Sequence, residues 1–352
     1  MPEKLRFGIV GCGVIASTHA EAIASLPDAQ LVAVADIIPE CAQGLAYKYG
    51  ARAYTSIQAM LEDETLDVVN ICTPSGLHRE HACQAMRSGR HVIIEKPMEI
   101  TLAAIDEMLR VQQEMGVELT VISQHRFDPA AQQVYTLLQE SAFGRLVLGN
   151  VLVPWWRSQT YYDSGAWRGT WALDGGGVLM NQSIHSIDLL QWLMGPVHSL
   201  YAYTDRLAHR METEDVAVAV LRFANGALGT IAATTGAYPG IATRIELFGD
   251  KGSAVIENDA LSYLHLARDD QEEVGAYGIA ATTNPQEKQG ATAASNPAAL
   301  SSTSHTLQIA DMIRAIREDG TPLVDGYAAR RPVEIILGMY EAARTQQEVI
   351  LS

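Results

Sequence analysis

The sequence predicts a doubly wound α/β domain with a parallel sheet, followed by an α+β domain with a large, mostly antiparallel open sheet. Three observations carry this. Short apolar runs alternate with helical patterns over the first third of the chain, which is the signature of a parallel sheet covered on both faces. The first of these units places Gly11-Cys12-Gly13 between strand and helix. Beyond about residue 124 longer strand-like runs follow one another with hairpin signals between them. The domains are therefore drawn as residues 1–123 and 124–352.

The elements follow in order. Leu5 to Val10 reads as a buried strand and Val14 to Ser25 as a helix, with Ile15, Ala16, Ala20 and Ile23 at helical spacing. Leu31 to Ala35 is the next strand and ends on Asp36. Ile38 to Tyr49 is helical, Ala53-Tyr54 a short strand and Ile57 to Asp63 a helix. Asp67 to Cys72 is a strand, closed by Thr73-Pro74-Ser75-Gly76. His81 to Ser88 is helical, His91 to Glu95 a strand, Thr101 to Met115 a helix capped by Thr101 and Gly116, and Val117 to Ile122 a strand.

Asp128-Pro129 then opens a helix to about Glu140. Strands are expected at Leu146–Pro154, Ser199–Thr204, Val216–Phe223, Leu228–Thr235, Thr243–Phe248 and Ser253–Ile256. Asn225-Gly226 and Asp250-Lys251-Gly252 supply turns. One helix, Gly177 to Met194, interrupts this series and stops at Gly195-Pro196. Thr282 to Ser304 reads as a long loop. Two helices close the chain, one from about His305 to Glu318 and one capped near Asp325 that runs through Ala328 to Gln347.

Composition bounds the function. The 352 residues are 48% hydrophobic with a net charge of −16. Such an acidic excess disfavours nucleic acid or an anionic membrane as a partner, but leaves room for a local anion site built from backbone amides. No apolar run reaches membrane-spanning length, and the N-terminus runs straight from a polar start into a strand, with no signal peptide pattern. Cys12, Cys41, Cys72 and Cys83 form no C-x-x-C and read as small buried residues of a reducing compartment. The expected location is cytoplasmic.

Gly11, Gly13 and Ala16 occupy the G-x-G-x-x-G/A positions of a dinucleotide fingerprint, with Cys12, Val14 and Ile15 between them. The first glycine allows a tight turn, the second a close approach to a pyrophosphate, and Ala16 close packing of helix on strand. The helix N-terminus offers N–H groups to phosphate. Asp36 suits the ribose hydroxyls and repels a 2′-phosphate, and Ile37-Ile38 supply no arginine to receive one, so NAD is favoured over NADP. Three loops fall at the carboxyl ends of the strands: 11–13; Thr73, Pro74, Ser75 to His78; and Glu95-Lys96-Pro97.

Lys96 ends a buried strand at that edge, where a lysine can donate or accept a proton. Asn181, His185 and Asp188 follow a glycine run, and on an α-helix they share one face. His185 is the best candidate base in the chain. No spacing supports a metal site, including one from His185, Asp188 and His78. Trp155-Trp156-Arg157, Tyr161-Tyr162 and Trp167-Arg168-Gly169-Thr170-Trp171 mix aromatics with arginines, which suits sugar rings and anionic groups or an interface between domains or subunits. His19, His81, His125, His198, His209 and His265 are left as surface or structural.

Together these motifs resemble the glucose–fructose oxidoreductase/inositol dehydrogenase (Gfo/Idh/MocA) family over essentially the whole chain. The resemblance implies a Rossmann domain and an α+β domain whose open sheet builds homodimers or homotetramers. It implies hydride transfer between NAD(P) and a secondary ring hydroxyl or keto group of a sugar, glycoside or sugar derivative, C3 among the positions. Cyclitols and nucleotide-sugar uronic acids are alternative substrates, and an NAD-binding regulatory sensor is the non-enzymatic alternative. Lys96 and His185 stand at the family's usual catalytic pair. Arg157, Tyr161, Trp167 and Asn181 join them as substrate residues. Gln124, Trp167 and Arg168 join the cofactor residues. Where the family commonly has Asp four residues before the histidine, this chain has Asn181, which cannot relay a proton. The Met-Asn-Gln-x-x-His form with Trp-Arg-Gly-Thr-Trp resembles the nucleotide-sugar 3-dehydrogenase branch, and the C-terminal part resembles glycoside and sugar 3-dehydrogenases or ketoreductases.

Overall fold

A computed structural model describes residues 3–267 and 302–351. The chain divides into two compact units, and neither is a single stretch of sequence. The first comprises residues 1–124, 165–181 and 301–334, and the second 125–164, 182–300 and 335–352. Where the sequence suggests one cut between 123 and 124, the chain returns twice to the first unit.

The first unit is built on six parallel strands: β1 (Leu5–Val10), β2 (Ala29–Ala35), β3 (Arg52–Tyr54), β4 (Val68–Ile71), β5 (His91–Ile94) and β6 (Leu119–Val121). Their order is β3-β2-β1-β4-β5-β6. The order reverses between β1 and β4, and in such sheets that switch point opens the ligand crevice at the carboxyl ends. The helices are α1 (Val14–Ser25), α2 (Pro39–Tyr49), α3 (Ile57–Asp63), α4 (His78–Arg87) and α5 (Leu102–Met115). Thr101 Oγ1 accepts from Ala104 N and Gly116 ends α5 in the left-handed region, as the capping residues require. Phe7, Ile9, Ala16, Ala20, Ile23 and Val34 form one buried cluster, closed by Ile309, Met312 and Ile313. Those three come from a helix far along the chain, Ser302–Glu318.

The second unit contains α6 (Pro129–Gln139), β7 (Leu146–Pro154), α7 (Gln159–Asp163), α8 (Ile184–Met194) and seven more strands. These are β8 (Val197–Asp205), β9 (Val216–Phe223), β10 (Leu228–Thr234), β11 (Arg244–Gly249), β12 (Gly252–Glu257), β13 (Ala260–Leu266) and β14 (Val349–Ile350). The sheet order is β13-β12-β11-β7-β10-β9-β8-β14, antiparallel except for the β7–β10 pair. Strict alternation in β9 puts Ala217, Ala219 and Leu221 inside and Val218, Val220 and Arg222 outside. On the inner side a Cβ at Gly149 would lie 2.7 Å from the Met194 side chain, so this glycine admits α8 close to β7. Tyr135 of α6 stacks on Trp192 of α8 with centroids 4.1 Å apart. Beneath them Arg126 forks onto Asp188, Nε at 2.8 Å from Oδ2 and Nη2 at 2.5 Å from Oδ1, with both side chains 2% exposed.

The differences from the sequence reading have local causes. The α4 helix starts at His78 rather than His81, because the 3-10 turn Ser75–Leu77 feeds straight into it. Asp128 stands at the N-cap of α6 without capping it, since its carboxylate goes to His125. The expected helix from Gly177 is π-wound over Val178–Ser183 and α-helical only from Ile184. Strands β13 and β14 escaped notice; β14 is two residues long and shows no alternation. The penultimate helix opens at Ser302, and Asp325 Oδ1 accepts from Ala328 N to cap the last helix, Gly326–Thr345. The loop expected at Thr282 to Ser304 lies outside the described residues up to 301. Cys41 is exposed and Cys12 partly so, against the expectation that all four cysteines are buried. No helix among the described residues is long and apolar enough to cross a membrane.

Candidate active site

The glycine loop joins β1 to α1. Gly11 adopts φ +88°, and a Cβ there would stand 2.6 Å from the Cys72 carbonyl oxygen, so only glycine fits. At Gly13 a Cβ would meet nothing within 4 Å. That open space in front of α1 is where a pyrophosphate can reach the helix's first N–H groups. Val14 is 83% exposed beside it, while Ala16 is fully buried and does the packing the fingerprint assigns to it. The first turn of α1 carries no acid.

Asp36 does more than face a ribose. Its Oδ2 accepts from Cys12 N at 2.7 Å and its Oδ1 from Ile38 N at 2.8 Å, so one carboxylate fastens the glycine loop to the end of β2. The remaining lone pairs are available to hydroxyl donors. Burial and the Asp36 carboxylate push the Cys12 thiol up to about 12, which keeps it neutral beside the loop. The donors, the carboxylate and the open approach at Gly13 fit a dinucleotide.

The next two loops are tied together by His78. Its Nδ1 lies 2.9 Å from Pro97 O and its Nε2 2.8 Å from Thr73 O. Both partners are acceptors, so a neutral ring serves one at a time, and burial lowers the pKa of His78. Thr73 Oγ1 meets His81 Nδ1 at 3.2 Å, and Ser75 is buried. The 165–181 segment docks here: Gly76 N donates to Leu173 O at 2.9 Å, and a Cβ at Gly76 would stand 2.5 Å from Ala172 O. Within that segment the Arg168 guanidinium lies 4.4 Å from the Trp167 ring centroid. Gln124 is buried at the start of the 3-10 turn Gln124–Phe127.

Glu95 is held by three partners within its unit. Its Oε1 lies 2.8 Å from His19 Nε2 and 3.8 Å from His305 Nε2, and its Oε2 accepts from Lys96 N at 3.1 Å. Burial alone would push His19 down; Cys72 and the Glu95 carboxylate overcome this and raise it to about 10. Burial alone would likewise raise Glu95, but His19 and His305 hold it well below the usual carboxylate range. Asn70 faces the other ring nitrogen of His19 at 2.7 Å, and Asn70 Oδ1 has no hydrogen-bond partner among the described residues. A protonated His19 donates from both nitrogens, so turning the Asn70 amide pairs that oxygen with Nδ1–H. Neither His19 nor His305 was singled out in the sequence. The signal for His19 was its place on the buried stripe of α1, with Ala16, Ala20 and Ile23.

Lys96 Nζ donates to the Asn181 carbonyl oxygen at 2.9 Å. Asn181 Nδ2 donates in turn to Asp174 Oδ1 at 2.9 Å, and Asp174 Oδ2 accepts from Gly169 N at 2.8 Å. Asp174 is buried, which raises its pKa against the pull of these donors and of Lys96 and Arg168. Asp174 gave no motif in the sequence.

Asn181, His185 and Asp188, expected to share one face, have different partners. The π-wound turn interrupts the α-helical phase before Ile184, the Asn181 amide goes to Asp174, and Asp188 is taken by Arg126. His185 itself is half-buried, with the His125 ring edge-on at 5.1 Å. In the same unit the buried Arg157 lies 4.9 Å from the Trp155 centroid and 5.5 Å from that of Tyr161. Tyr161 Oη accepts from Gln182 Nε2 at 3.3 Å.

Residues 5–123 match the model of an oxidoreductase family with an NAD-binding Rossmann fold, and residues 131–255 match the Gfo/Idh/MocA C-terminal domain. The myo-inositol 2-dehydrogenase of Thermotoga maritima is 28% identical over 260 residues, 72% of this chain and 75% of that protein. The D-glucoside 3-dehydrogenase of Escherichia coli is 33% identical over 201 residues, 55% of each. The structure of the WlbA dehydrogenase from Bordetella pertussis, in complex with NADH and UDP-GlcNAcA, is 35% identical. It superposes with a TM-score of 0.86 over 99% of both chains.

Two outcomes follow from this geometry. Asp36→Ala removes the acceptor of Cys12 N–H and should weaken NAD binding about 10- to 100-fold, in line with roughly 1.5–3 kcal/mol for hydrogen bonds to a charged group. Asp36→Ser with Ile37→Arg should shift preference toward NADP; a wild type that binds NADP more tightly in a calorimetric titration overturns this. The second concerns pH. The folded-state pKa of His19 is raised, so its contribution to stability is complete below about pH 6.5 and is lost as pH rises through about 10. The melting temperature should therefore fall from pH 7 to 10 more steeply in wild type than in His19→Gln, and equal slopes would refute the buried charge pair.

Proposed function

The chain belongs to the Gfo/Idh/MocA family of NAD-binding oxidoreductases, and on that premise we propose that it oxidises a secondary ring hydroxyl of a sugar derivative, or reduces the corresponding ketone. NAD, when bound, supplies the hydride acceptor. The observation that carries the reading is on one sheet edge: the glycine loop follows β1, Asp36 follows β2, and Lys96 lies just beyond β5, its ammonium on Asn181 O.

Lys96 would present its ammonium to the reacting oxygen and stabilise the charge that develops there. His185 would accept the hydroxyl proton, being the half-buried imidazole of its turn. Asn181 would fix Lys96 through its carbonyl oxygen, and Asp174 would fix Asn181. Arg157, with Trp155 and Tyr161 about it, suits a ring and an anionic substituent. The likeness to the B. pertussis enzyme covers almost the whole chain, so a nucleotide-linked sugar acid is the substrate we favour over simple glycosides and cyclitols. The free cysteines favour a reducing, cytoplasmic setting.

The outer face of the eight-stranded sheet exposes Leu152, Val218, Val220, Leu228 and Tyr203. An antiparallel sheet normally turns polar residues to water, and an apolar face of this kind favours a second copy of the chain. Sedimentation equilibrium should give a dimer or tetramer, and Val218→Asp with Val220→Asp should yield monomers. A monomeric wild type removes this assignment.

The direct test is a panel of UDP-GlcNAcA, a D-glucoside, levoglucosan and myo-inositol, read as NADH formation. UDP-GlcNAcA should be oxidised fastest. Lys96→Met should cut turnover by about 10²–10⁴-fold while NAD still binds. Tight NAD binding with no turnover on any of the four would favour a sensor, and a Lys96→Met variant of near wild-type rate would remove Lys96 from the chemistry.

A further inference from the structure

Asn181 brings no carboxylate to the segment that carries His185, and its amide is committed to Asp174. The charge beside His185 comes from elsewhere. The rings of His125 and His185 meet edge to face, 5.1 Å between centroids and 83° between planes. His125 belongs to the 3-10 turn Gln124–Phe127 and is held from two directions. Its Nδ1 lies 2.7 Å from Asp128 Oδ2, at the start of α6, and 3.2 Å from Asp259 Oδ1, in the turn between β12 and β13. Asp259 adopts φ +64°, a conformation uncommon for a non-glycine residue. Asp188 of α8, paired with Arg126, also acts on His125.

We propose that His125, clamped by Asp128 and Asp259, is a positioning residue for His185: a fixed cation against its ring that sets its orientation and keeps it in the neutral, proton-accepting form. This rests on the reading of His185 as the base. Burial alone would strip His125 of its proton; the carboxylates of Asp259 and Asp128 overcome that and raise it to about 9. At neutral pH the ring is therefore an imidazolium, and a second imidazolium against it is disfavoured. The aspartate pair fixes the cation's place, because one ring nitrogen serves both carboxylates. A device of this kind does without an Asp at position 181: the neighbouring cation discourages protonation of the base, where a carboxylate would encourage it.

The test is to follow the imidazole Cε1–H resonances of the full chain with saturating NAD as a function of pH, assigning His185 by its loss in His185→Gln. In His125→Gln the cation is gone and both carboxylates remain. The His185 midpoint should rise by about one pH unit, tenfold in its acid constant. His125→Lys keeps a cation and should leave the midpoint closer to wild type. The acidic limb of kcat/KM for UDP-GlcNAcA should move to higher pH in step, since the base must be neutral to act. An unmoved His185 midpoint in His125→Gln overturns the proposal. A midpoint that rises while the acidic limb stays still supports the action of His125 on His185 and overturns only the assignment of His185 as base. Should His125→Gln fail to fold, Asp259→Asn loosens the clamp; the His125 midpoint should then drop below about 9, and an unmoved His125 also overturns the proposal.

Discussion

The buried carboxylate of Glu95 is the constraint on which the first unit depends. A buried charge is tolerated only where partners surround it, and here two come from distant helices and one from the adjoining backbone. His19 is carried by the helix that begins at the glycine loop, His305 by a helix far along the chain, and the third partner is the backbone N–H of Lys96. Removing any one leaves the others with an uncompensated buried group. The same contacts therefore stabilise the unit and fix where the strand carrying Lys96 ends. The apolar packing runs in parallel, with Ile309, Met312 and Ile313 closing over Ala16, Ala20 and Ile23.

From that anchor the Lys96 side chain reaches out to the Asn181 carbonyl, and the Asn181 amide reaches Asp174. Asp174 also holds Gly169, beside Arg168. The 165–181 segment is thus joined to the lysine by polar contacts and to the strand-end loops by the close fit of Gly76 against Ala172. Position 181 carries an amide rather than a carboxylate, and its contacts run from the lysine to a buried acid. The asparagine holds the lysine by its backbone, so its side chain is free to serve Asp174.

The sequence revealed most where a residue's chemistry and its local structure coincide. Val14–Ser25, Ile57–Asp63, Leu146–Pro154 and Val216–Phe223 appear at the expected bounds, because periodicity and turn residues specify them without long-range help. The glycine loop was legible for the same reason: its function needs a strand, a tight turn and a helix in succession. Long-range pairs were not. Nothing near Glu95 announces His305, more than two hundred residues later, and nothing in the sequence pairs Arg126 with Asp188, both buried. The π-wound turn at Val178–Ser183 was equally invisible, since sequence spacing assumes 3.6 residues per turn and a single added residue shifts every later side chain.

Charge presents the same contrast between local and global. The chain carries −16, yet its family binds a cofactor whose pyrophosphate is anionic. Net charge acts over distances at which physiological salt already screens it, about 8 Å, whereas phosphate recognition occurs at hydrogen-bond range. At that range the first turn of α1 holds no acid, and Gly13 leaves the helix N-terminus open. The nearest carboxylate, Asp36, is turned toward Cys12 N and Ile38 N. Its oxygens accept from these two backbone donors. A 2′-phosphate would meet that carboxylate without an arginine to offset it, while a 2′-hydroxyl would find an acceptor. The residue that tightens the loop is therefore also the one suited to discriminate between the two cofactors, and its contacts with the loop do not depend on the acidity of the rest of the surface.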